Sequence, residues 1–386
     1  MSVPRPLRVF LVAAEESGDR LGAPLMRALR SMRPEVEFTG VGGAQMTAQG
    51  ITPPFPIDEL SIMGFTSIPA KLPNILRRIR QTAAAVAAAK PDVLVIIDSP
   101  DFTHRVARRV RTAMPDLPIV DYVSPSVWAW RPGRAKAMRA YVDHVLALLP
   151  FEPEAHRRLG GPACTYVGHP MIERIAELRP NTDEARRREA SPPVLLVMPG
   201  SRRGELKYML PIFEQTVAQV AATVGPLEVV IAAVPRLAAG IESVVASWRV
   251  RPRLAVTQED RDAAFRAARA ALVKSGTGTL ELALAGVPMV ASYKGSAIEA
   301  FIARRLVKVP TVILANLVLG EKVVPEFLQE DAEPGRMAAA LAPLLGDTAE
   351  RTRQVEAFNR LDAIMEIGTA RPSDRAAEIV LKAAEG

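Results

Sequence analysis

Short apolar runs alternate with amphipathic stretches along this chain. Val93–Ile97 and Val194–Met198 each place five consecutive apolar residues just before turn-forming residues, a pattern typical of strands buried on both faces of a parallel sheet. Leu7–Ala13, apolar except for Arg8, leads into a polar turn and then a helical pattern from Leu21 to Met32. This order of strand, turn and helix predicts the first unit of a doubly wound α/β domain.

The same plan restarts in the second half of the chain. Further strands are predicted at Ile119–Val123, Val229–Ala233, Leu254–Val256, Ala270–Val273 and Met289–Ser292. Pro180–Pro193 is polar and charged with prolines at both ends, which indicates a linker. We therefore predict βα-repeating domains at residues 1–180 and 194–350, a linker at 181–193, and C-terminal helices over 351–386 that pack back across the linker. A cleft is expected between the two domains.

Composition excludes several classes of protein. With 386 residues, 49% of them hydrophobic, the chain can bury two ordinary cores. The single cysteine, Cys164, allows no internal disulfide, which fits a reducing cytoplasm. Acidic residues follow the first apolar run too closely for a signal peptide, and no run approaches the roughly 20 residues that a membrane span needs. We expect a cytoplasmic protein that is soluble or peripherally bound to a membrane.

The net charge of +7 and the pI near 9.7 indicate an anionic partner. The basic residues are scattered through helical segments, however, and aromatic residues make up only 5%. Such a distribution is a poor match to a base-stacking platform or to a known nucleic-acid motif. Phosphorylated ligands and an acidic membrane surface are therefore favoured, and no nucleic-acid partner is expected.

Ser275–Pro288 is the stretch around which the chain is organised. Ser275, Gly276 and Thr277 follow an apolar run and are small, so a ligand can approach the backbone, while the start of the next helix favours phosphate. Glu281 lies in the first helical turn, where its carboxylate can accept hydrogen bonds from two ribose hydroxyls. Alternatively, Glu281 does no more than stabilise the helix start.

A second candidate phosphate loop is Pro199–Glu205, which contains Ser201 and Arg202. A diphosphate there would meet backbone N–H groups and a guanidinium, which can neutralise a departing nucleotide without a metal. An ordinary solvent-facing turn is the alternative.

Three carboxylates are candidates for a general base that deprotonates a sugar hydroxyl. Asp98 and Asp101 follow the strand Val93–Ile97, and Glu15 lies in the first loop of the same sheet. Asp101 can instead cap the following helix, and Glu15 can act through helix-start electrostatics. Asp98 and Asp101 are spaced D-S-P-D rather than D-x-D, and no other cluster of carboxylates or histidines supplies obvious metal ligands. Neither a metal nor another cofactor is therefore expected.

Two further segments have open interpretations. Trp128 and Trp130, beside Arg131 and Arg134, can hold a sugar ring, although packing is favoured for both. The basic, apolar segment Leu60–Ile79 can contact a bilayer or acyl chains or form an amphipathic helix on the sheet; its candidate contacts are Ile68, Leu72, Ile75 and Leu76.

Ten motifs, in one order, carry a resemblance to a known family. They are EESGDRLGA, VGGAQM, PDVLVIIDSPDF, YVSPSVWAWRPGR, LLPFE, VGHPM, MPGSRRGE, SGTGTLELALAGVPMV, ARRLVKVP and VVPEFLQED. In these motifs the chain closely resembles the lipid-A-disaccharide synthases, glycosyltransferases of the GT-B fold. The resemblance implies two Rossmann-like domains facing each other across a cleft. It also implies transfer of diacylglucosamine from UDP-2,3-diacylglucosamine to 2,3-diacylglucosamine 1-phosphate, with inversion, at the cytoplasmic face of the inner membrane.

The family pattern also assigns roles to residues of this chain. It makes Asp98 the base and Arg202 a contact of the leaving diphosphate, while Ser275, Gly276, Thr277 and Glu281 hold the nucleotide and Asn316 lies near it. Oligomeric state is left open, with a homodimer as one alternative. Two other hypotheses stand beside this one: an enzyme that uses a different UDP-sugar, and a binding module for a nucleotide sugar or a nucleic acid without catalysis.

Overall fold

The computed structural model describes residues 5–60, 68–296, 309–366 and 370–386, with the side chains of 68–71 also outside the description. The chain divides into two compact units, Met1–Ile172 with Gly368–Gly386, and Glu173–Ile367. Each unit has its own sheet. Among the described residues, no helix is both long enough and apolar enough to cross a bilayer.

The first unit contains six strands and seven α-helices among its described residues. In chain order they are β1 (Arg8–Ala13), α1 (Glu16–Met32), β2 (Glu37–Val41), α2 (Ala44–Thr47), α3 (Ile68–Ala89), β3 (Val93–Ile97), α4 (Pro100–Ala113), β4 (Ile119–Tyr122), α5 (Gly133–Met138), β5 (His144–Ala147), α6 (Glu152–Arg158), β6 (Ala163–Tyr166) and, at the end of the chain, α17 (Pro372–Glu385). Short 3₁₀ helices span Ile57–Leu60 and Pro170–Arg174, the latter crossing into the second unit.

The second unit repeats the plan. Its described elements are α7 (Ile175–Leu178), α8 (Thr182–Glu189), β7 (Val194–Met198), α9 (Arg203–Val224), β8 (Glu228–Ala232), α10 (Pro235–Val245), β9 (Arg253–Ala255), α11 (Gln258–Ala267), β10 (Ala270–Lys274), α12 (Gly278–Leu284), β11 (Met289–Tyr293), α13 (Leu314–Leu319), β12 (Glu326–Leu328), α14 (Pro334–Leu341), α15 (Ala349–Asn359) and α16 (Leu361–Ile364). Two 3₁₀ helices span Gln329–Asp331 and Ala342–Leu345.

Both sheets are parallel and six-stranded, as the α/β prediction requires. The strand order is β2-β1-β3-β4-β5-β6 in the first unit and β12-β11-β10-β7-β8-β9 in the second. Strand order reverses between β1 and β3 in one sheet and between β10 and β7 in the other. Ligands of doubly wound sheets bind at the carboxyl ends of strands beside such a reversal, so these two edges are where each unit is expected to carry function.

The apolar runs predicted as central strands are the buried ones. Every residue of β3 is fully buried, and β7 is buried except at its last residue. The core of the first unit lies on both faces of its sheet, and one face is covered by α1 and α17. The C-terminal helix is thus part of the first unit, whereas α15 and α16 belong to the second.

The segment interpreted as a linker is ordered and packed. Asn181 caps α8 by accepting hydrogen bonds from the N–H groups of Asp183 and Glu184, and Glu184 bonds back to the Asn181 N–H. Arg188, on the same helix, is buried and donates to four backbone carbonyls at the ends of α11 and α12. Burial lowers the pKa of its guanidinium to about 10. The charged composition of this segment predicts exposure to solvent. The burial of Arg188 could not be predicted from it, because that burial depends on contacts with the ends of other helices.

Candidate functional site

The carboxyl end of β3 has an unusual backbone. Asp98 and Ser99 both adopt left-handed conformations, with φ of 55° and 46°, although neither is glycine. Such conformations cost on the order of 1–3 kcal/mol and cluster at functional sites. The buried Ser99 hydroxyl also has no hydrogen-bond partner among the described residues. The strain turns the chain sharply after β3 and fixes where the Asp98 carboxylate lies.

The loop after β1 holds the Asp98 side chain. Ser17 Oγ donates a hydrogen bond of 2.7 Å to Asp98 Oδ2. Gly18 makes this approach possible, because a Cβ there would lie 3.0 Å from the Ile97 carbonyl and 3.1 Å from the Ala13 Cβ. Among the described residues, Asp98 Oδ1 accepts no hydrogen bond and is available to a substrate hydroxyl. The structure therefore brings the first loop and the Asp98 carboxylate together at the strand-order reversal.

The three candidate carboxylates are placed differently. Asp101 lies in the first turn of α4, 79% exposed at its side chain, and its carboxylate lies 3.4 Å from the guanidinium of Arg134. Glu15 precedes α1 and is exposed, and its side chain accepts no capping hydrogen bond. Only Asp98 combines a constrained backbone with a side-chain hydrogen bond. This geometry favours Asp98 as the base, with Glu15 as an acidic neighbour on the adjacent loop.

The aromatic loop after β4, which carries Trp128 and Trp130, is held in place by contacts with the start of α6. Trp128 Nε1 donates a 3.0 Å hydrogen bond to Glu152 Oε1, and its ring packs edge-on against Phe151. Glu152 Oε2 also accepts from the N–H groups of Leu148 and Leu149. Burial raises the pKa of the Glu152 carboxyl to about 7, while these hydrogen bonds oppose the rise. Trp128 therefore packs as expected, and a buried acid that the sequence did not single out positions its loop.

Trp130, by contrast, stacks with cations. The guanidinium carbons of Arg131 and Arg134 lie 4.4 and 5.7 Å from its ring centroid. The backbone is again strained nearby, since Val123 and Arg131 have φ of 92° and 52°. Positive φ is rare for a β-branched residue. Backbone strain therefore occurs directly after both β3 and β4, at the same edge of the first sheet.

A cavity of about 690 Å³ adjoins the first loop. Its lining includes Glu16, Arg20, the Gly42–Thr47 region and Pro53–Asp58. Buried Asp19 shapes one wall, because its carboxylate accepts hydrogen bonds from the N–H groups of Gly43, Gln45 and Met46. Asp19 therefore holds the turn after β2 in place against the start of α1.

In the second unit, the two predicted phosphate loops are neighbours. β7 pairs with β10 in parallel, with Met198 opposite Val273, so the loops that follow these strands leave the sheet side by side. Gly278, at the start of α12, packs so closely that a Cβ would lie 2.9 Å from the Met198 Cε. Both loops therefore border the strand-order reversal of the second sheet.

The loop at Pro199–Glu205 differs from the prediction in one respect. Glu205 Oε2 accepts hydrogen bonds from the N–H groups of Ser201 and Arg202, at 3.0 and 3.3 Å. These donors were expected to meet a phosphate, but the carboxylate at the third helical position reaches back to them, as in a capping box. The N–H groups of Arg203 and Gly204 have no such acceptor among the described residues. Arg202 is exposed, with its Nη1 3.7 Å from Glu205 Oε1.

Lys274 is a cation that sequence reasoning missed. It ends β10, and its Nζ lies 3.1 Å from Glu205 Oε1 and 5.3 Å from the centre of the Tyr293 ring. The ion pair links the two phosphate loops. A lysine that ends an otherwise apolar strand, directly before small residues, is the signal that would have found it.

The remaining predicted nucleotide contacts lie along the loop after β10. Ser275 is buried, and its hydroxyl lies 3.5 Å from the Val312 carbonyl. Gly276 has φ of 155°, and among the described residues other than its chain neighbours, only the Lys274 Nζ lies within 4 Å of an added Cβ. Thr277 is exposed at the start of α12, and Glu281 lies half-buried in its first turn. Small residues and an acid thus line one short loop and helix start.

Asn316 has a structural role in this unit. Its side chain is buried, its Oδ1 accepts from the N–H groups of Val323 and Val324, and its Nδ2 donates to the Val324 carbonyl and to Thr311 Oγ1. Both ends of the amide are therefore committed to the protein. Any contribution to nucleotide binding would pass through the loop that Asn316 holds.

The segment predicted to contact membrane or acyl chains is described only in part. Residues 61–67 and the Ile68 side chain lie outside the described residues. Leu72, on α3, is 41% exposed, whereas Ile75 and Leu76 pack partly against the core of the first unit. Within the described chain, no group of three or more His, Cys, Asp or Glu side chains is arranged to hold a metal ion.

Comparison with solved structures supports the fold. A MurG from Acinetobacter baumannii superimposes with a TM-score of 0.60 at 15% identity, over 98% of this chain and 100% of that one. The glycotransferase of kitacinnamycin gives a TM-score of 0.62 at 17% identity, with coverage of 98% and 100%. At these identities the likeness shows the fold alone, which is the α/β GT-B type.

Sequence comparison identifies the family. A family model described as lipid-A-disaccharide synthetase matches residues 9–380. The lipid-A-disaccharide synthase of Nitrobacter winogradskyi is 60% identical over 97% of this chain and 95% of its own length. That of Rhodospirillum centenum is 43% identical, with coverage of 98% and 94%. The chain therefore belongs to the lipid-A-disaccharide synthetase family.

Proposed function

We propose that this protein is a lipid-A-disaccharide synthase. It transfers 2,3-diacylglucosamine from UDP-2,3-diacylglucosamine to the 6-hydroxyl of 2,3-diacylglucosamine 1-phosphate, which gives the β-1,6-linked disaccharide 1-phosphate and UDP. Family membership over nearly the whole chain is the observation that carries this proposal. The constrained Asp98 carboxylate supplies the chemistry that such a transfer requires.

The transfer proceeds as one displacement. Asp98 accepts the proton of the acceptor hydroxyl as its oxygen attacks the anomeric carbon, and the bond from that carbon to the diphosphate oxygen breaks. The bonding electrons leave with UDP, so the configuration inverts and no covalent sugar–enzyme intermediate forms. Asp98 is suited to this role because Ser17 fixes one carboxylate oxygen and leaves the other accessible.

The second unit holds the departing UDP. Arg202 and the unpaired N–H groups at the start of α9 meet the diphosphate, and Lys274 adds a second cation. Ser201, Ser275, Gly276, Thr277 and Glu281 form the nucleotide site, and Asn316 keeps the neighbouring loop in position. These cations and backbone donors provide charge stabilisation that does not depend on a metal ion or another cofactor.

The acceptor and its membrane are assigned to the first unit. The cavity beside Glu16 and Arg20 adjoins the loop that carries Ser17, so it can seat the acceptor near Asp98. Leu72 extends an apolar side chain into solvent from the basic helix α3. Family membership and this exposed side chain support the proposal that the protein binds peripherally at the cytoplasmic face of the inner membrane. Whether it acts there as a monomer or a homodimer is measurable by light scattering.

Release of UDP tests the proposal. UDP-diacylglucosamine is incubated with and without diacylglucosamine 1-phosphate, in the presence of a chelator, for the wild type and for Asp98→Ala. We expect release that requires the acceptor, survives the chelator, and falls by roughly 10²–10⁴-fold in the variant. Absence of release from the wild type with any acceptor would refute the proposed activity. Release without acceptor would favour an epimerase or hydrolase.

The membrane assignment needs a variant that still folds. Ile75 and Leu76 contribute to the core, so Leu72→Ser is the informative change, with Asn74→Ser on the same helix as a control. The fraction of protein that sediments with anionic liposomes should be lower for Leu72→Ser than for the wild type, and unchanged for Asn74→Ser. Equal sedimentation of both variants and the wild type would remove α3 as the membrane contact.

A further inference from the structure

An apolar groove of about 440 Å³ lies between α9 and α10 in the second unit. Its floor is formed by Leu206, Leu210 and Leu237, which are largely buried. Pro211 and Val244 form its walls, and Val244 is 44% exposed. Among the described residues, Val244 and Leu72 are the large apolar side chains left exposed. An uncovered apolar surface of this kind is a candidate ligand site.

Cations surround the groove. Arg203, Lys207 and Arg236 line it together with the apolar residues, and within the described chain none of the three forms an ion pair with a carboxylate. Three unneutralised cations beside an apolar floor are complementary to a ligand that carries both an anionic group and a hydrocarbon chain.

The groove begins at the diphosphate loop. Arg203 and Leu206 belong to the first turn of α9, directly after the loop, and Arg236 Nη2 donates a 3.1 Å hydrogen bond to the Ser201 carbonyl. From Arg203 to Pro211 the groove follows α9 for about 12 Å, at roughly 1.5 Å per residue. A ligand whose diphosphate contacts Arg202 would therefore have the entrance of the groove beside it.

Gly240 keeps the groove open. It lies within α10, where glycine is unfavourable by roughly 0.5–1 kcal/mol relative to alanine. Apart from the adjacent residues and the local helix backbone, no atom of the described residues lies within 4 Å of a Cβ built at this position. Packing therefore does not require the glycine, and any larger side chain there would occupy groove space instead of clashing with the protein.

We propose that this groove binds one acyl chain of the diacylated UDP-sugar donor. The inference rests on the proposed function, because the donor is the ligand that carries a diphosphate and acyl chains in one molecule. A bilayer lipid has similar chemistry, but the hydrogen bond from Arg236 to the diphosphate loop ties the cations to the nucleotide site. The groove would thus contribute to selection of donors by acyl length.

The test fills the groove without disturbing the fold. Gly240→Phe is compared with Ala239→Phe, which adds the same side chain at an exposed neighbouring position that does not line the groove. Initial rates are measured in detergent with UDP-glucosamine bearing two tetradecanoyl groups or two butanoyl groups. For Gly240→Phe we expect kcat/KM to fall about tenfold for the tetradecanoyl donor, as when about two methylenes lose their burial. The rate with the butanoyl donor should stay within about twofold.

The outcomes separate the two levels of the proposal. If the wild type consumes neither donor, the proposed activity itself fails. If the wild type consumes the tetradecanoyl donor and Gly240→Phe keeps the wild-type ratio between donors, the acyl site is refuted. Loss of anionic liposome binding by Gly240→Phe with an unchanged donor ratio would also overturn it, in favour of a bilayer contact. The thermal midpoint of Gly240→Phe should equal or exceed that of the wild type.

Discussion

The two units form sharp turns at the ends of their central strands in different ways. In the first unit, Asp98, Ser99 and Val123 adopt positive φ although each has a side chain. In the second unit, Gly200 and Gly276 take the corresponding positions after β7 and β10, with φ of 116° and 155°. Glycine adopts such conformations at little cost, whereas other residues are strained. The difference fits the proposed chemistry, in which a base must present a carboxylate, whereas a phosphate site presents backbone donors and needs room.

The largest effect on stability is expected where a glycine turn is given a side chain. In Gly200→Ala a Cβ would lie 2.4 Å from Glu205 Oε2, so the capping carboxylate must move while the backbone is strained. We expect a loss of about 2–4 kcal/mol in the free energy of unfolding of this unit. Thermal denaturation should show a midpoint lowered by roughly 5–10 °C.

Gly204→Ala is the matched control. Gly204 lies in the first turn of α9, and beyond its chain neighbours and the local helix backbone no described atom is within 4 Å of an added Cβ. Alanine should therefore leave the midpoint unchanged or raise it slightly. Similar midpoints for the two variants would contradict the view that Gly200 is needed for its backbone conformation.

A second prediction concerns the buried acid under the aromatic loop of the first unit. Burial raises the pKa of Glu152 from its ordinary 4.5 to about 7, so the folded state binds a proton that the unfolded state releases. The free energy of unfolding should therefore fall as pH rises from 4.5 to 7. In Glu152→Gln, the free energy of unfolding should not show this dependence on pH. Below pH 4.5 the variant should be less stable than the wild type by about 1–2 kcal/mol, because the side-chain amide leaves one N–H donor without an acceptor.

Urea denaturation, carried out from below pH 4.5 up to pH 7, measures both effects. Glu154→Gln, on the same helix but exposed, is the control and should keep the wild-type slope. An equal slope for wild type and Glu152→Gln would show that the acid does not titrate between the folded and unfolded states.

The smallest effect is expected at the hydroxyl that holds Asp98. Ser17→Ala removes the 2.7 Å hydrogen bond to Asp98 Oδ2 but leaves the backbone of β3 untouched. We expect kcat to fall about fivefold with KM nearly unchanged, since roughly 1 kcal/mol of orientation is lost. Ser31→Ala, further along α1, should keep the wild-type kcat. A higher KM with an unchanged kcat would instead assign Ser17 to substrate contact.

The sequence predicted the central strands well for a physical reason. β3 and β7 match their apolar runs because both faces of a central parallel strand are buried. The prediction missed four strands, β2, β5, β6 and β12. Of these, β2, β6 and β12 lie at sheet edges and are partly exposed, while β5 is a short run that begins with a polar histidine. The C-terminal helices, predicted from residue 351, begin at Ala349 instead, and α15 and α16 are separated at Arg360.

Site geometry was less accessible from the sequence. The motifs singled out Asp98, Arg202 and the loop at Ser275 as candidates, but the positive φ of Asp98 could not be predicted from its residue type. The occupation of two loop N–H groups by Glu205, and its ion pair with Lys274, depend on contacts between elements that composition does not encode. The length and burial of the central strands follow from the local sequence pattern. Which polar side chains contact each other is decided by the tertiary fold.

Replacement of Asp98 by glycine tests the central claim most directly. Glycine accepts φ of 55° without strain, so the turn persists while the carboxylate disappears. Thermal denaturation and acceptor-dependent UDP release are measured on the same preparation. We predict a free energy of unfolding within about 1 kcal/mol of the wild type and a kcat lower by roughly 10²–10⁴-fold. A folded Asp98→Gly protein that retains wild-type turnover would contradict the assignment of Asp98 as the base.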